Sequence, residues 1–134
     1  MALVLPNTGE GIFLKAAVNH TAGQNLVLRL FKSNTTPAET DTAGTYTEAT
    51  FTGYSSVTLT GASWSITEGA PSYAQYAQQT FSSSANQATE NQYGYYLTQL
   101  SSGILAWAER FSDAPWPITN NGDQAKVTAY IEQA

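Results

Sequence analysis

The sequence predicts an all-β fold: an antiparallel β-sandwich, jelly-roll-like, with one short N-terminal helix. Three observations lead there. Residues 92–111, QYGYYLTQLSSGILAWAERF, have the pattern of a β-hairpin. Short runs of alternating apolar and polar residues recur along the chain, separated by Gly, Pro, Asn or Asp. The 134 residues hold no cysteine, repeat or linker, so residues 1–134 form one domain that closes its core without disulfides. A chain of this length buries roughly two thirds of its unfolded surface, which is enough for such a core.

The elements follow in order. Residues 1–5 suit a short strand or an arm. Asn7 followed by Glu10 resembles an N-cap with an acidic third residue. Ile12, Phe13, Leu14, Ala16, Ala17 and Val18 then give an apolar patch, so a helix is predicted over residues 8–19. Gly9 and Gly11 each weaken it by roughly 1 kcal/mol. Residues 24–32 form a strand, with Leu26, Leu28 and Leu30 on one face and Val27, Arg29 and Phe31 on the other.

Residues 33–56 are Thr-rich and lack strong periodicity. A loop this long is uncommon in a compact domain unless it has a function or structure of its own. A brief helical turn is expected near residues 37–42. Two short strands follow at residues 56–60 and 63–67, then one strand over residues 73–82 and a polar turn region at 83–91.

In the central hairpin, alternation places Tyr93, Tyr95 and Leu97 on one face of the first arm, and Gly94, Tyr96 and Thr98 on the other. Leu105, Trp107, Glu109 and Phe111 share a face of the second arm, opposite Ile104, Ala106, Ala108 and Arg110. Only one set is expected to enter the core. Gly103 supplies the turn. Residues 112–123 contain Pro115, Trp116, Pro117 and an Asn121-Gly122 turn, and residues 125–132 close the chain as a strand.

Charge narrows the function classes. The net charge is −5, and only 11% of residues are charged, against about 25% in typical domains. Five cations provide no footprint for nucleic acid and no basic patch for anionic lipid. No apolar run approaches the roughly 20 residues of a membrane helix. The N-terminal MALVLP shows no signal-peptide pattern. A surface poor in ions has little to desolvate when a partner covers it, which suits assembly.

Few residues suggest chemistry. His20 is the one histidine and is read as a surface or capping residue. Gly9-Glu10-Gly11 lacks the glycine pattern and the βαβ setting of a nucleotide site. Paired acids can cleave glycosides, and Glu109, on the same face as Trp107, is the best candidate, with Asp113 or Asp123 as the second acid; a rim position or a hydrogen bond to backbone or arginine is preferred for it. Asp113 and Asp123 have the chemistry of hard-cation ligands, with turn formation the preferred role. Tyr73, Tyr76, Tyr93, Tyr95 and Tyr96 form either cross-strand pairs or a surface for sugar or subunit contact. Asn19 and Asn34 begin chance matches to the glycosylation pattern.

The run NLVLRLFKSNTTPAETDTAGTYTEATFTGYSSVTLTGASWSI, then YAQQTF, QYGYYLTQLSSGILAWAERFSD and ITNNGDQAKVT, resembles small structural proteins encoded by tailed bacteriophages. The resemblance spans residues 25–128. Its most specific pieces are TPAETDTAGTYTEA (36–49), YGYYLTQ (93–99), LAWAERF (105–111) and NNGDQAKVT (120–128).

It implies a virion component assembled in the host cytoplasm, and it leans towards the capsid decoration or cement class. Members of that class include sandwich and jelly-roll folds and bind the shell as oligomers. The expected function is a non-enzymatic structural protein bridging neighbouring capsomers. Its partners would be the major capsid protein and its own copies, as a homotrimer, with no nucleic acid and no membrane. The 33–56 loop and the arm at residues 1–6 would supply much of the contact surface. The resemblance carries over no catalytic, cofactor-binding or metal-binding residue. The alternatives are a tail or fibre domain recognising a host-surface glycan through exposed tyrosines or Trp116, and, ranked last, a glycan hydrolase using Glu109.

Overall fold

The computed structural model describes residues 3–18, 20 and 23–133. In chain order these form helix α1 (Asn7–Ala17) and strands β1 (Leu26–Phe31), β2 (Val57–Leu59), β3 (Ser65–Thr67), β4 (Ser72–Gln75), β5 (Gln79–Ser82), β6 (Glu90–Gln92), β7 (Gly94–Gln99), β8 (Leu105–Arg110), β9 (Trp116–Ile118), β10 (Gln124–Val127) and β11 (Tyr130–Gln133). The architecture is the predicted antiparallel β-sandwich with one short N-terminal helix.

One layer is a four-stranded sheet in the order β2-β1-β7-β8. Remote segments β1 and β7 are neighbours in it, with Leu28 opposite Leu97 and Leu30 opposite Tyr95. The other layer is assembled from shorter ribbons: β3-β4-β11, β5-β10 and β6-β9. Between the layers, Leu28, Leu30, Leu59, Tyr95, Leu97 and Trp107 from the large sheet meet Phe81, Ile118, Ala125 and Val127 from the ribbons.

The opposite face of the large sheet is also covered, contrary to the expectation that one set of hairpin residues enters the core. All six residues of β7 are buried. Phe31, Tyr96, Leu105 and Ala108 form a second apolar cluster there, closed by Tyr46 from the 33–56 loop. Tyr46 stacks on Tyr96 at 5.2 Å between ring centroids and lies 4.9 Å from Phe31. Much of the long loop is therefore a cover for the protein's own sheet. It also completes the edge of β1: Lys32 N–H donates to Thr47 O, and Ala49 N–H to Leu30 O. The loop's helical turn lies at Ala43–Thr45, slightly later than expected.

A bulge corrects the predicted faces of β8. Leu97 pairs with Trp107 but Thr98 pairs with Leu105, so Ala106 is the extra residue. An inserted residue reverses the side-chain phase beyond it. Leu105 consequently joins Ala108 in the second cluster, and Ala106 joins Trp107 in the first.

Helix α1 seats on this bulge. Thr8 Oγ1 donates to Leu105 O at 3.1 Å. A Cβ on Gly9 would overlap the Ala106 carbonyl, so a glycine is what permits the approach. Phe13 then reaches Trp107, with ring centroids 6.1 Å apart. Asn7 is not the N-cap: buried Pro6 occupies that position, and Asn7 N–H donates to Glu39 O. The preceding arm adds to the free edge of β8, with Val4 bridged to Ala108. That pairing holds the described part of the arm against its own sheet, and residues 1 and 2 lie outside the described residues.

The predicted strand over 73–82 is two strands, because β4 pairs with β11 while β5 pairs with β10. The closing strand divides for the same reason. The polar 83–91 region ends in β6, and Pro117 lies within β9, the two being paired. Neither has the apolar alternation that marks a strand in sequence.

Candidate functional site

The two arms of the hairpin bring Tyr95 opposite Glu109. Tyr95 is buried, and its hydroxyl donates to Glu109 Oε2 at 2.7 Å. Burial, then the Glu109 carboxylate, pushes the Tyr95 phenol well above the usual tyrosine range. Glu109 is thus half-buried at the rim of the core as the acceptor of a tyrosine hydrogen bond. The preferred rim position holds, with tyrosine in place of arginine or backbone.

Asp113 accepts from the indole N–H of Trp116 at 2.7 Å. Asp123 Oδ2 accepts from Thr119 N at 2.9 Å and Asn120 N at 2.8 Å, tying off the turn that precedes Gly122, whose φ is +93°. Those two backbone donors hold the Asp123 carboxyl below its ordinary value. Both aspartates sit in local turn structure. Among the described residues, no three His, Cys, Asp or Glu side chains gather into a group able to hold a metal ion. His20 is exposed just beyond α1, with its backbone N–H on Lys15 O at 2.8 Å. Asn34 is exposed, whereas Asn19 and Thr21 lie outside the described residues.

The tyrosines divide into three groups. Tyr95 and Tyr96 are core residues. Burial, then the Glu48 charge, pushes the Tyr96 phenol up to about 12 against the opposing pull of Arg29. Tyr93 lies under Arg110, whose guanidinium carbon is 5.1 Å from the ring centroid. Tyr73 and Tyr76 remain half-buried at the surface of the β3-β4-β11 ribbon. Trp116 is stacked on Phe111 at 3.7 Å and 5°, so one face of its ring is already covered.

Carboxylates in this charge-poor chain are mostly satisfied without cations. Tyrosine hydroxyls donate to Asp41, Glu48, Glu109 and Glu132. Glu48 also pairs with Arg29 at 2.9 Å. Glu90 fixes the loop to β6: it accepts from Thr50 N at 2.9 Å, Thr50 Oγ1 at 2.7 Å and Phe51 N at 3.2 Å. Burial alone would raise the Glu90 carboxyl, but Thr50, Gln92 and Lys32 together hold it below the ordinary value.

Of the five exposed large hydrophobics among the described residues, Ile66 lies on β3 and the other four lie on α1 and the hairpin tip. Leu14 is 67% exposed and Val18 73%, both at the C-terminal part of α1; Leu100 is 53% exposed and Ile104 45%, at the hairpin tip. A groove of about 420 Å³ lies between helix and hairpin, lined by Gly11, Ile12, Lys15 and Ala16 on the helix and by Gln99 and Ile104 on the hairpin. Asn7 and Gly11 line it, and Leu14 and Val18 continue that stripe at helical spacing. The excess of apolar residues in the helix was the one sign of this surface in the sequence.

Comparisons with protein-family models, curated proteins and solved structures found no match to the chain.

Proposed function

We propose that this protein is a non-enzymatic structural component of a tailed-phage virion, a decoration protein that bridges neighbouring capsomers and stabilises the head. The sequence resemblance supports this, and the observation that carries it in three dimensions is the apolar end formed by α1 and the hairpin tip. Leu14 and Val18 on the helix and Leu100 and Ile104 at the hairpin tip leave apolar side chains in water, and their cover by a partner would be favourable. Few ions surround them, so little desolvation opposes docking. The contact surface is accordingly assigned to this end, with the exposed outer side of the 33–56 loop adding to it.

A protein that binds assembled shell and not free subunits stabilises the shell by mass action. A trimer presenting three such ends to adjacent capsomers gains avidity without a strong single interface. The test compares heads with and without the protein on heating. Decorated heads should release DNA at higher temperature, and the double variant Leu14→Glu/Leu100→Glu should fold but lose both binding and protection. Equal thermal stability of bare and decorated heads would reject cementing.

A further inference from the structure

On the sheet face remote from the core, strands β3, β4 and β11 set out two rows. Ser65, Gln75 and Tyr130 are register partners in one row, and Thr67, Tyr73 and Glu132 in the other. The intervening row, Ile66, Ala74 and Ile131, points the opposite way, towards Phe13 of α1. A shallow groove of about 360 Å³ lies on the outer rows, with Tyr73, Gln75, Ser65 and Thr67 in its floor and Ser63 and Tyr76 closing one end. Its volume is within the range of small-ligand sites, roughly 300–1,000 Å³.

We propose that this groove binds a neutral pyranose-based glycan. The lining combines two phenol rings with three aliphatic hydroxyls and one carboxamide, and none of the described side chains lining it is charged. The C–H face of a sugar ring covers apolar area on a tyrosine, while its hydroxyls need partners that both donate and accept. Gln75, Ser65 and Thr67 supply both functions. A phosphate-bearing ligand would find no cation among the described residues lining the groove, and the register partner of Tyr73 on β11 is the acidic Glu132. A purely apolar ligand would strand the hydroxyls.

The aromatic walls are already fixed. Tyr73 lies 5.4 Å from the Tyr130 ring, and the Tyr130 hydroxyl donates to Glu132 Oε2 at 2.6 Å. Tyr76 accepts from Thr60 N at 3.2 Å and meets Trp64 edge-on at 5.3 Å. A ligand therefore has few side chains to order on binding. The inference stands on this face alone and does not rest on a place in a virion.

The experiment is NMR titration of the full chain with neutral oligosaccharides of glucose, galactose, mannose and rhamnose, with oligogalacturonate as the charged control. At least one neutral probe should shift the Gln75 side-chain amide and the Tyr73 ring at concentrations up to tens of millimolar. Tyr73→Ala should weaken that binding about tenfold or more, whereas Tyr73→Phe retains most of it. Gln75→Ala, at an exposed position, provides the same test if Tyr73→Ala disturbs the ribbon. No shift with any neutral probe, shifts that persist in both alanine variants, or binding by oligogalacturonate alone would overturn the proposal.

Discussion

Glycine at position 9 shows how one residue's effect depends on what lies above it. In an exposed helix, replacing glycine by alanine stabilises by about 1 kcal/mol. Gly11 has nothing within 4 Å of a new Cβ, so Gly11→Ala should give that gain. At Gly9 the Cβ would enter the Ala106 carbonyl, so Gly9→Ala should instead cost about 1–3 kcal/mol, as overpacking does. Denaturant unfolding of the two variants checks the opposite signs.

The buried phenols set the alkaline limit of stability. Tyr46, Tyr54 and Tyr95 are held above the usual tyrosine range, chiefly by burial and then by carboxylate partners. A raised value contributes stability that is complete below the unfolded value of about 10 and is lost as pH rises beyond it. Glu90 and Asp123 have lowered values, so their contribution is present above the ordinary carboxylate range and lost as pH falls through it. Tyrosinate absorbance should show Tyr46, Tyr54 and Tyr95 ionising only in step with unfolding. Gradual ionisation of all eight tyrosines in the folded protein would contradict their placement.

At the scale of elements, the bulge in β8 and the loop over the second face explain where sequence reasoning succeeded and where it stopped. The faces of β1 were legible because a regular strand sends alternate residues to opposite faces: Leu28 and Leu30 enter the first core cluster and Phe31 the second. The hairpin turn at Gly103 was legible, but the pairing of Leu97 with Trp107 was not, because the register set at the turn would place Ala106 opposite Leu97. Beyond the bulge the phase failed, because an inserted residue in an apolar run such as Leu105-Ala106-Trp107-Ala108 leaves no break in the pattern. Tyr46 was hidden among threonines: its role depends on meeting Phe31 and Tyr96 in space, and no local periodicity encodes that.

The surface of the β3-β4-β11 ribbon was half visible. Tyr73 and Tyr76 stood out, but Tyr130 and Gln75 join them only through strand pairing. Two substitutions measure these contacts. Trp107→Ala should cost about 3–5 kcal/mol, the usual loss for a large core truncation. Tyr46→Ala should cost about 2–4 kcal/mol and increase hydrogen exchange in the 33–56 loop, because the loop's anchor on the second face is gone. A loss below about 1 kcal/mol at Tyr46 would mean that the loop is not a structural cover.

At the scale of the whole molecule, the chain has one sandwich with both faces of its main sheet occupied, few surface ions, and a projecting apolar end. Tyrosine–carboxylate hydrogen bonds replace many of the ion pairs a typical surface carries, and such a surface is inexpensive to cover. The proposed role as a shell-bridging virion protein follows from that economy together with the sequence resemblance. Cryo-electron imaging of the phage particle tests it most directly. The account predicts density for this protein on the outside of the head, over junctions between capsomers, with α1 and the β7–β8 tip directed at the shell. Density confined to the tail or its tips, or an α1 end facing solvent while another surface holds the shell, would contradict it.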